Sequence, residues 1–234
     1  MKRNYLLKGI ALFAAVLFLF PLLCACREEE FEHGGVVTKK GKADPDWFED
    51  CLMIGNSRLV GMITYCGLKV GQDYTKNGFT VNSALRAPTE EVYNGKVTVS
   101  SAIENGFTYP KCCILFGVNE AGMETADDFR RDMNELLDIL LSKNPETEIY
   151  VLTEYSVGAD WEGAEITPEK IKAFNDVLRT LAAEKGAHLI DLFEPYATED
   201  GYLLPEASAD GLHMNVEYTK KMLDTVLAGI AAAQ

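Results

Sequence analysis

Cys51-Leu52-Met53-Ile54-Gly55-Asn56-Ser57-Arg58-Leu59 is the stretch on which the reading of this chain turns. Its first four residues form an apolar run of strand length with no polar alternation, the pattern of a strand covered on both faces. Gly55 permits a tight turn, and Ser57 then stands at the entrance to a helix. Three more runs of the same kind follow: Cys112-Cys113-Ile114-Leu115-Phe116, Ile149-Tyr150-Val151-Leu152 and Ala187-His188-Leu189-Ile190. A further strand is expected near Phe79-Thr80-Val81.

Helical patterns lie between and after these runs. Phe129, Met133, Leu136, Leu137, Leu140 and Leu141 keep 3.6-residue spacing, with Thr125 and Asp128 placed as a capping-box-like start and Pro145 beyond the end. Thr167-Pro168 opens the next helix, Ile171, Phe174, Leu178 and Leu181 line it, and Gly186 ends it. Met222, Leu223, Val226, Leu227 and Ile230 mark the last helix. Strands alternating with helices imply right-handed crossovers, and hence an α/β, three-layer αβα sandwich around a parallel sheet of about five strands.

The chain has 234 residues, 47% of them hydrophobic, with 22 Lys+Arg against 36 Asp+Glu and a formal charge of −14. That composition excludes a disordered tail, a collagen-like fibre and a multi-pass membrane protein. The acid excess argues against a nucleic-acid partner, which would need clustered Lys and Arg. Lys2, Arg3 and Lys8 precede an uncharged run from Gly9 to Leu23, too short for a membrane span of about 20 residues but suited to an export signal.

Leu23-Cys24-Ala25-Cys26 resembles a bacterial lipobox. It implies a lipoprotein signal peptide over 1–25, lipidation at Cys26 and anchoring on the outer face of the cytoplasmic membrane; the alternative is ordinary secretion. Residues 26–46, rich in charge and Gly, read as a flexible tether, which leaves 47–234 as the folded domain. Cys51, Cys66, Cys112 and Cys113 read as small buried hydrophobes, with a bridge from Cys51 to Cys112 or Cys113 open if their strands are neighbours.

In a parallel sheet, ligands bind outside the carboxyl ends of the strands. At those ends stand Ser57, where helix N–H groups favour negative charge; Asn119 in Gly117-Val118-Asn119-Glu120, whose amide can donate to an oxyanion; and Asp210-Gly211-Leu212-His213, a carboxylate placed to orient an imidazole. The Gly-x-Ser-x-Gly elbow, the His-Glu-x-x-His motif, spaced Cys pairs and the Walker loop are absent from the sequence. His33 falls in the tether and His188 in a core strand. Tyr155, Trp161 and Tyr202 read either as loop anchors or as platforms for a sugar face.

Ile54-Gly55-Asn56-Ser57-Arg58, Gly117-Val118-Asn119-Glu120 and Asp210-Gly211-Leu212-His213 resemble, in order, three blocks of the SGNH (GDSL-like) hydrolases. The resemblance runs from about Asp46 to the C-terminus. It implies a flavodoxin-like fold and a serine esterase without metal or other cofactor, with Ser57 as nucleophile, His213 as base then acid, and Asp210 as its orienter. The Ser57 N–H, the Asn119 amide and a glycine N–H, assigned to Gly78 with Gly67 and Gly71 as runners-up, would form the oxyanion hole. Asn56 and Glu120 stand where the family usually has Asp.

These readings lead to an acylhydrolase removing small acyl groups, such as acetyl, from a cell-envelope or environmental glycan. A non-catalytic glycan-binding lipoprotein on the same fold, or a lysophospholipase or thioesterase, is the alternative.

Overall fold

A computed structural model describes residues 41–88, 97–106, 108–161, 163 and 165–234. The expected export signal, the expected lipidation residue Cys26, His33 and most of the expected tether lie outside them. The described residues belong to one unit of the chain, 38–234.

Five parallel strands, β1 (Cys51–Gly55), β2 (Gln72–Thr75), β3 (Lys111–Leu115), β4 (Glu148–Leu152) and β5 (His188–Ile190), lie in the order β2-β1-β3-β4-β5. The helices are α1 (Ser57–Cys66), α2 (Val81–Arg86), α3 (Val99–Gly106), α4 (Val118–Ala121), α5 (Ala126–Lys143), α6 (Pro168–Lys185) and α7 (Val216–Ala233). Successive strand residues point to opposite faces, so Leu52, Ile54, Cys112 and Ile114 pack under α2, α3, α5 and α6. Met53, Cys113, Leu115 and Tyr150 pack under α1 and α7. Both faces are covered, which is why these strands read as unbroken apolar runs.

The helix termini follow their sequence signals. Thr125 caps α5 by accepting from the Asp128 N–H, and Thr167 with Pro168 starts α6, which ends at Gly186 in the left-handed conformation (φ 69°).

One strand is placed differently from the sequence expectation. Phe79-Thr80-Val81 is no strand; Thr80 caps α2 through the Ser83 N–H, and the strand lies earlier, at Gln72-Asp73-Tyr74-Thr75. β2 is an edge strand with its first half partly exposed, so it tolerates polar residues that hide it from an apolar-run reading. The four cysteines from Cys51 onward are free. The strands of Cys51 and Cys113 are neighbours, but Cys51 stands opposite Lys111 and Cys113 opposite Met53.

The strand order reverses direction between β1 and β3, so their carboxyl ends open onto the crevice where ligands of such sheets bind.

Candidate active site

The turn from β1 into α1 puts Ser57 at the rim of that crevice. A Cβ on Gly55 would stand 2.5 Å from the Leu115 carbonyl oxygen, so glycine is required there by the close approach of β3. Asn56 caps α1, its side-chain oxygen accepting the Arg58 N–H at 3.0 Å while its own N–H reaches Leu115 O at 3.2 Å. Ser57 is the first residue of the helix, where a backbone N–H has no intrahelical acceptor and the helix dipole favours a developing anion.

From the other end of the chain, the loop before α7 brings in the imidazole. His213 Nε2 lies 3.0 Å from Ser57 Oγ, and His213 Nδ1 lies 2.8 Å from Asp210 Oδ2. Asp210 Oδ1 also accepts the N–H groups of Leu212 (2.8 Å) and His213 (2.7 Å) and the Ser208 hydroxyl (3.0 Å). Desolvation alone would raise the Asp210 pKa. The hydrogen bonds from the His213 N–H and ring, Leu212 and Ser208 outweigh it and hold the carboxyl well below the usual range, so it is an anion at any working pH. A neutral imidazole that donates to Asp210 through Nδ1 presents a bare Nε2 to the serine hydroxyl.

The third element follows β3. Gly117 has φ 139°, and a Cβ there would stand 3.1 Å from Glu154 Cγ, so both backbone and space demand glycine. The turn delivers Asn119, half-buried, with its amide nitrogen donating to Phe79 O at 2.8 Å and a second amide hydrogen left over. Glu120 is fully buried and accepts the N–H groups of Val81 (2.7 Å) and Gly117 (2.9 Å), stitching the start of α2 to the Asn119 turn. Burial pushes its carboxyl up to about 8, against the pull of those N–H groups.

Gly78, exposed with φ 70°, lines a depression beside Asn119, Met123 and Ile166. The two runner-up glycines sit elsewhere. Gly67 caps the C-terminus of α1, and Gly71 precedes β2, packed against Tyr109 and the Glu49 carbonyl at the opposite end of the strand.

Beneath the turn lies a polar core that the sequence reading missed. Glu154, just beyond β4, accepts from the Asn56 amide, from the Val118 N–H (3.2 Å) and from the Arg58 guanidinium (2.8 Å), and the Arg58 and Glu154 side chains are wholly buried. Its backbone is gripped by Asn175 of α6, which exchanges two 2.8 Å hydrogen bonds with it. This explains Asn56. An aspartate there could cap α1, but it would set its charge against Glu154, whereas an amide donates to it. Thr153-Glu154-Tyr155-Ser156, polar residues at the carboxyl end of a strand, was the available signal.

Tyr155 is 1% exposed and stacked under Arg58, so it offers no face to a sugar. Trp161 and Tyr202 do line a common depression, with Gly158 and Pro168. His188 is half-buried at the start of β5 against Tyr150. Among the described residues no group of three or more His, Cys, Asp or Glu is placed to hold a metal ion, and no helix is long and apolar enough to cross a membrane.

Comparison with known proteins agrees with this architecture. A GDSL-like lipase from Bacteroides thetaiotaomicron is similar, with a TM-score of 0.58 at 16% identity over 78% of this chain and 87% of its own. A lipase/acylhydrolase from Enterococcus faecalis gives 0.55 at 18% identity, over 78% and 95%. An acetyl xylan esterase gives 0.55 at 16%, over 77% and 98%. At such identities the likeness speaks for the fold. No curated protein matches the sequence significantly. The model of the GDSL-like lipase/acylhydrolase family matches residues 73–219, which takes in the Asn119 and Asp210–His213 blocks and begins after Ser57. With well over half of its length covered by that match, and the five-stranded parallel sheet of the fold around it, the chain belongs to the GDSL-like lipase/acylhydrolase (SGNH hydrolase) family.

Proposed function

We propose that this hydrolase cleaves carboxylic esters through an acyl-serine intermediate on Ser57. The observation that carries the reading is the hydrogen-bonded chain from Ser57 Oγ through both nitrogens of His213 to Asp210, with links of 3.0 and 2.8 Å. Ser57 Oγ attacks the ester carbonyl carbon as His213 Nε2 takes its proton. The oxyanion that forms is met by the Ser57 N–H, the second amide hydrogen of Asn119 and the Gly78 N–H. Collapse expels the alcohol, which leaves with the proton from His213. Water then attacks the acyl-serine with His213 as base, and the carboxylic acid departs. Asp210 stays anionic throughout and holds the ring's tautomer.

The substrate we assign is a small acyl ester, such as an acetyl group, on a glycan of the cell envelope or the surroundings. A neighbour described as an acetyl xylan esterase supports this class. So does the shallow depression beside Asn119, in which Met123 and Ile166 offer room for a short chain. The signal-like N-terminus and Cys26 support export and a lipid anchor on the outer face of the membrane, and Cys26→Ser should release the protein from the membrane fraction.

The decisive experiment is hydrolysis of a short aryl acetate by the full chain, with a chelator present, beside Ser57→Ala and His213→Ala. Turnover that persists with chelator and disappears in both variants carries the reading, and an acetylated-glycan panel then tests the substrate. A folded wild type with no turnover and no serine-reactive phosphonate adduct overturns it.

A further inference from the structure

The residue after the serine is an arginine whose side chain is inaccessible to solvent, and whose contacts, besides Glu154, include two that lead to the acid–base side of the site. Its Nη1 donates to Glu154 and to the Tyr155 carbonyl, and its Nη2 donates to the Ser156 carbonyl (3.3 Å) and the Leu212 carbonyl (3.1 Å). The guanidinium carbon sits 3.6 Å from the centre of the Tyr155 ring, a cation–π stack in a desolvated setting. The phenol of that same Tyr155 accepts the Met214 N–H at 3.2 Å.

Leu212 and Met214 are the two neighbours of His213. Arg58 therefore holds the backbone carbonyl on one side of the imidazole, Tyr155 holds the backbone N–H on the other, and the two holders are stacked on each other. The arginine is bonded in sequence to Ser57. We infer that Arg58 and Tyr155 form a clamp that sets the approach of His213 to Ser57, acting as positioning residues for proton transfer without touching the substrate; the inference rests on the catalytic reading above.

Two further observations point to positioning rather than to stability. A buried Arg–Glu pair is a poor source of stability compared with apolar residues of the same volume. Arg58 Nε is also buried with no partner among the described residues, a further desolvation cost at this position. The His213 loop is also tied to the body at Gly211, whose carbonyl accepts the Gly158 N–H at 2.7 Å, and at Met214, whose carbonyl accepts the Thr219 hydroxyl at 3.2 Å, but the Arg58 and Tyr155 bonds fall on the two residues adjoining the imidazole.

The test compares wild type with Tyr155→Phe, which keeps the ring and its stack and removes only the hydroxyl, and with Arg58→Lys, which keeps the charge and loses the fork. A short aryl acetate gives kcat and KM, an aryl phosphonate gives the rate of covalent labelling, and thermal melting checks the fold. Misplacement of the base predicts a kcat and a labelling rate lower by about tenfold or more in Tyr155→Phe, with KM unchanged within about twofold. Arg58→Lys should lose at least as much, and adding either change to His213→Ala should cost nothing further in labelling.

A reactive wild type with an equally reactive, folded Tyr155→Phe overturns the clamp alone, as does an equal loss in the His213→Ala background. A wild type unreactive to both probes removes the catalytic reading and the clamp with it.

Discussion

Ser57 and His213 stand 3.0 Å apart but are held by opposite means. The serine is rooted in the sheet. Gly55, Asn56, Arg58, Glu120 and Glu154 around it are buried, and their hydrogen bonds reach β3, the segment that follows β4, and α6. The imidazole rides on a loop where the side chains of His213 and Asp210 are 43% and 55% exposed and the hydrogen bonds of Asp210 are to residues within three positions of it. One half is fixed by long-range burial throughout; in the other the ring is oriented by local turn chemistry, and the backbone flanking it is tied to the buried half through Arg58 and Tyr155. The proposed chemistry needs both, but stability should draw almost wholly on the first, and that separation can be broken experimentally.

The largest expected effect is on rate with little on stability. On the proposed mechanism, Ser57→Ala and His213→Ala should each lower kcat for an aryl ester by about 10⁴-fold or more, because removing one member of such a relay disables the whole. Neither side chain is buried in the core, so melting should shift by no more than a few degrees. The second effect is the reverse. Glu154→Ala leaves the buried Arg58 charge unpaired and should cost about 3–5 kcal/mol in chemical denaturation. Asp210→Ala on the exposed half should cost less than about 1 kcal/mol by the same measurement. Comparable losses from the two would erase the distinction.

Gly55→Ala comes next. The added methyl would meet the Leu115 carbonyl, and β1 must shift against β3 to admit it, at about 1–3 kcal/mol. Because Ser57 follows two residues later, kcat should fall along with the melting temperature. A variant of wild-type stability would mean that the turn gives way instead, and the serine would then be less firmly rooted than its surroundings indicate.

The same division explains what could be read from the sequence. Four strands were legible because burial on both faces leaves no polar residue to interrupt them, and the long helices carry their own caps at Thr125, Thr167 and Gly186. Ser57, Asn119 and Asp210–His213 were legible because each block is local and sits at an element boundary. Phe79-Thr80-Val81 misled because β-branched and aromatic residues suit a strand equally well, and only the Ser83 N–H reveals that Thr80 is a cap. The Arg58–Glu154 pair was not legible at all, since its members lie 96 residues apart and each alone reads as a surface charge. Tyr155 reads from sequence as a loop anchor or a sugar platform for the same reason: nothing local records that an arginine lies across its ring.

The smallest effect gives the two halves opposite pH signatures. Glu120, on the buried half, keeps its proton in the folded protein up to about pH 8, whereas the unfolded chain releases it near the ordinary value of 4.5. Between those limits the folded state binds more protons than the unfolded one, so stability should fall as pH rises, by at most one proton's worth, about 1.4 kcal/mol per pH unit. Asp210, on the exposed half, has its carboxyl depressed by the hydrogen bonds of its own loop. Its contribution is present above the ordinary carboxylate range and is lost as pH falls below it, and its exposure keeps that contribution small. Denaturation midpoints from pH 3 to 9 separate the two: Glu120→Gln should flatten the decline between about 4.5 and 8 and leave the acid limb alone, while Asp210→Asn should soften the acid limb and leave the decline. If Glu120→Gln leaves the slope above pH 5 unchanged, Glu120 is ionised in the folded state. The two N–H groups it accepts would then outweigh its burial, and the buried half of the site would carry two carboxylates against the single charge of Arg58.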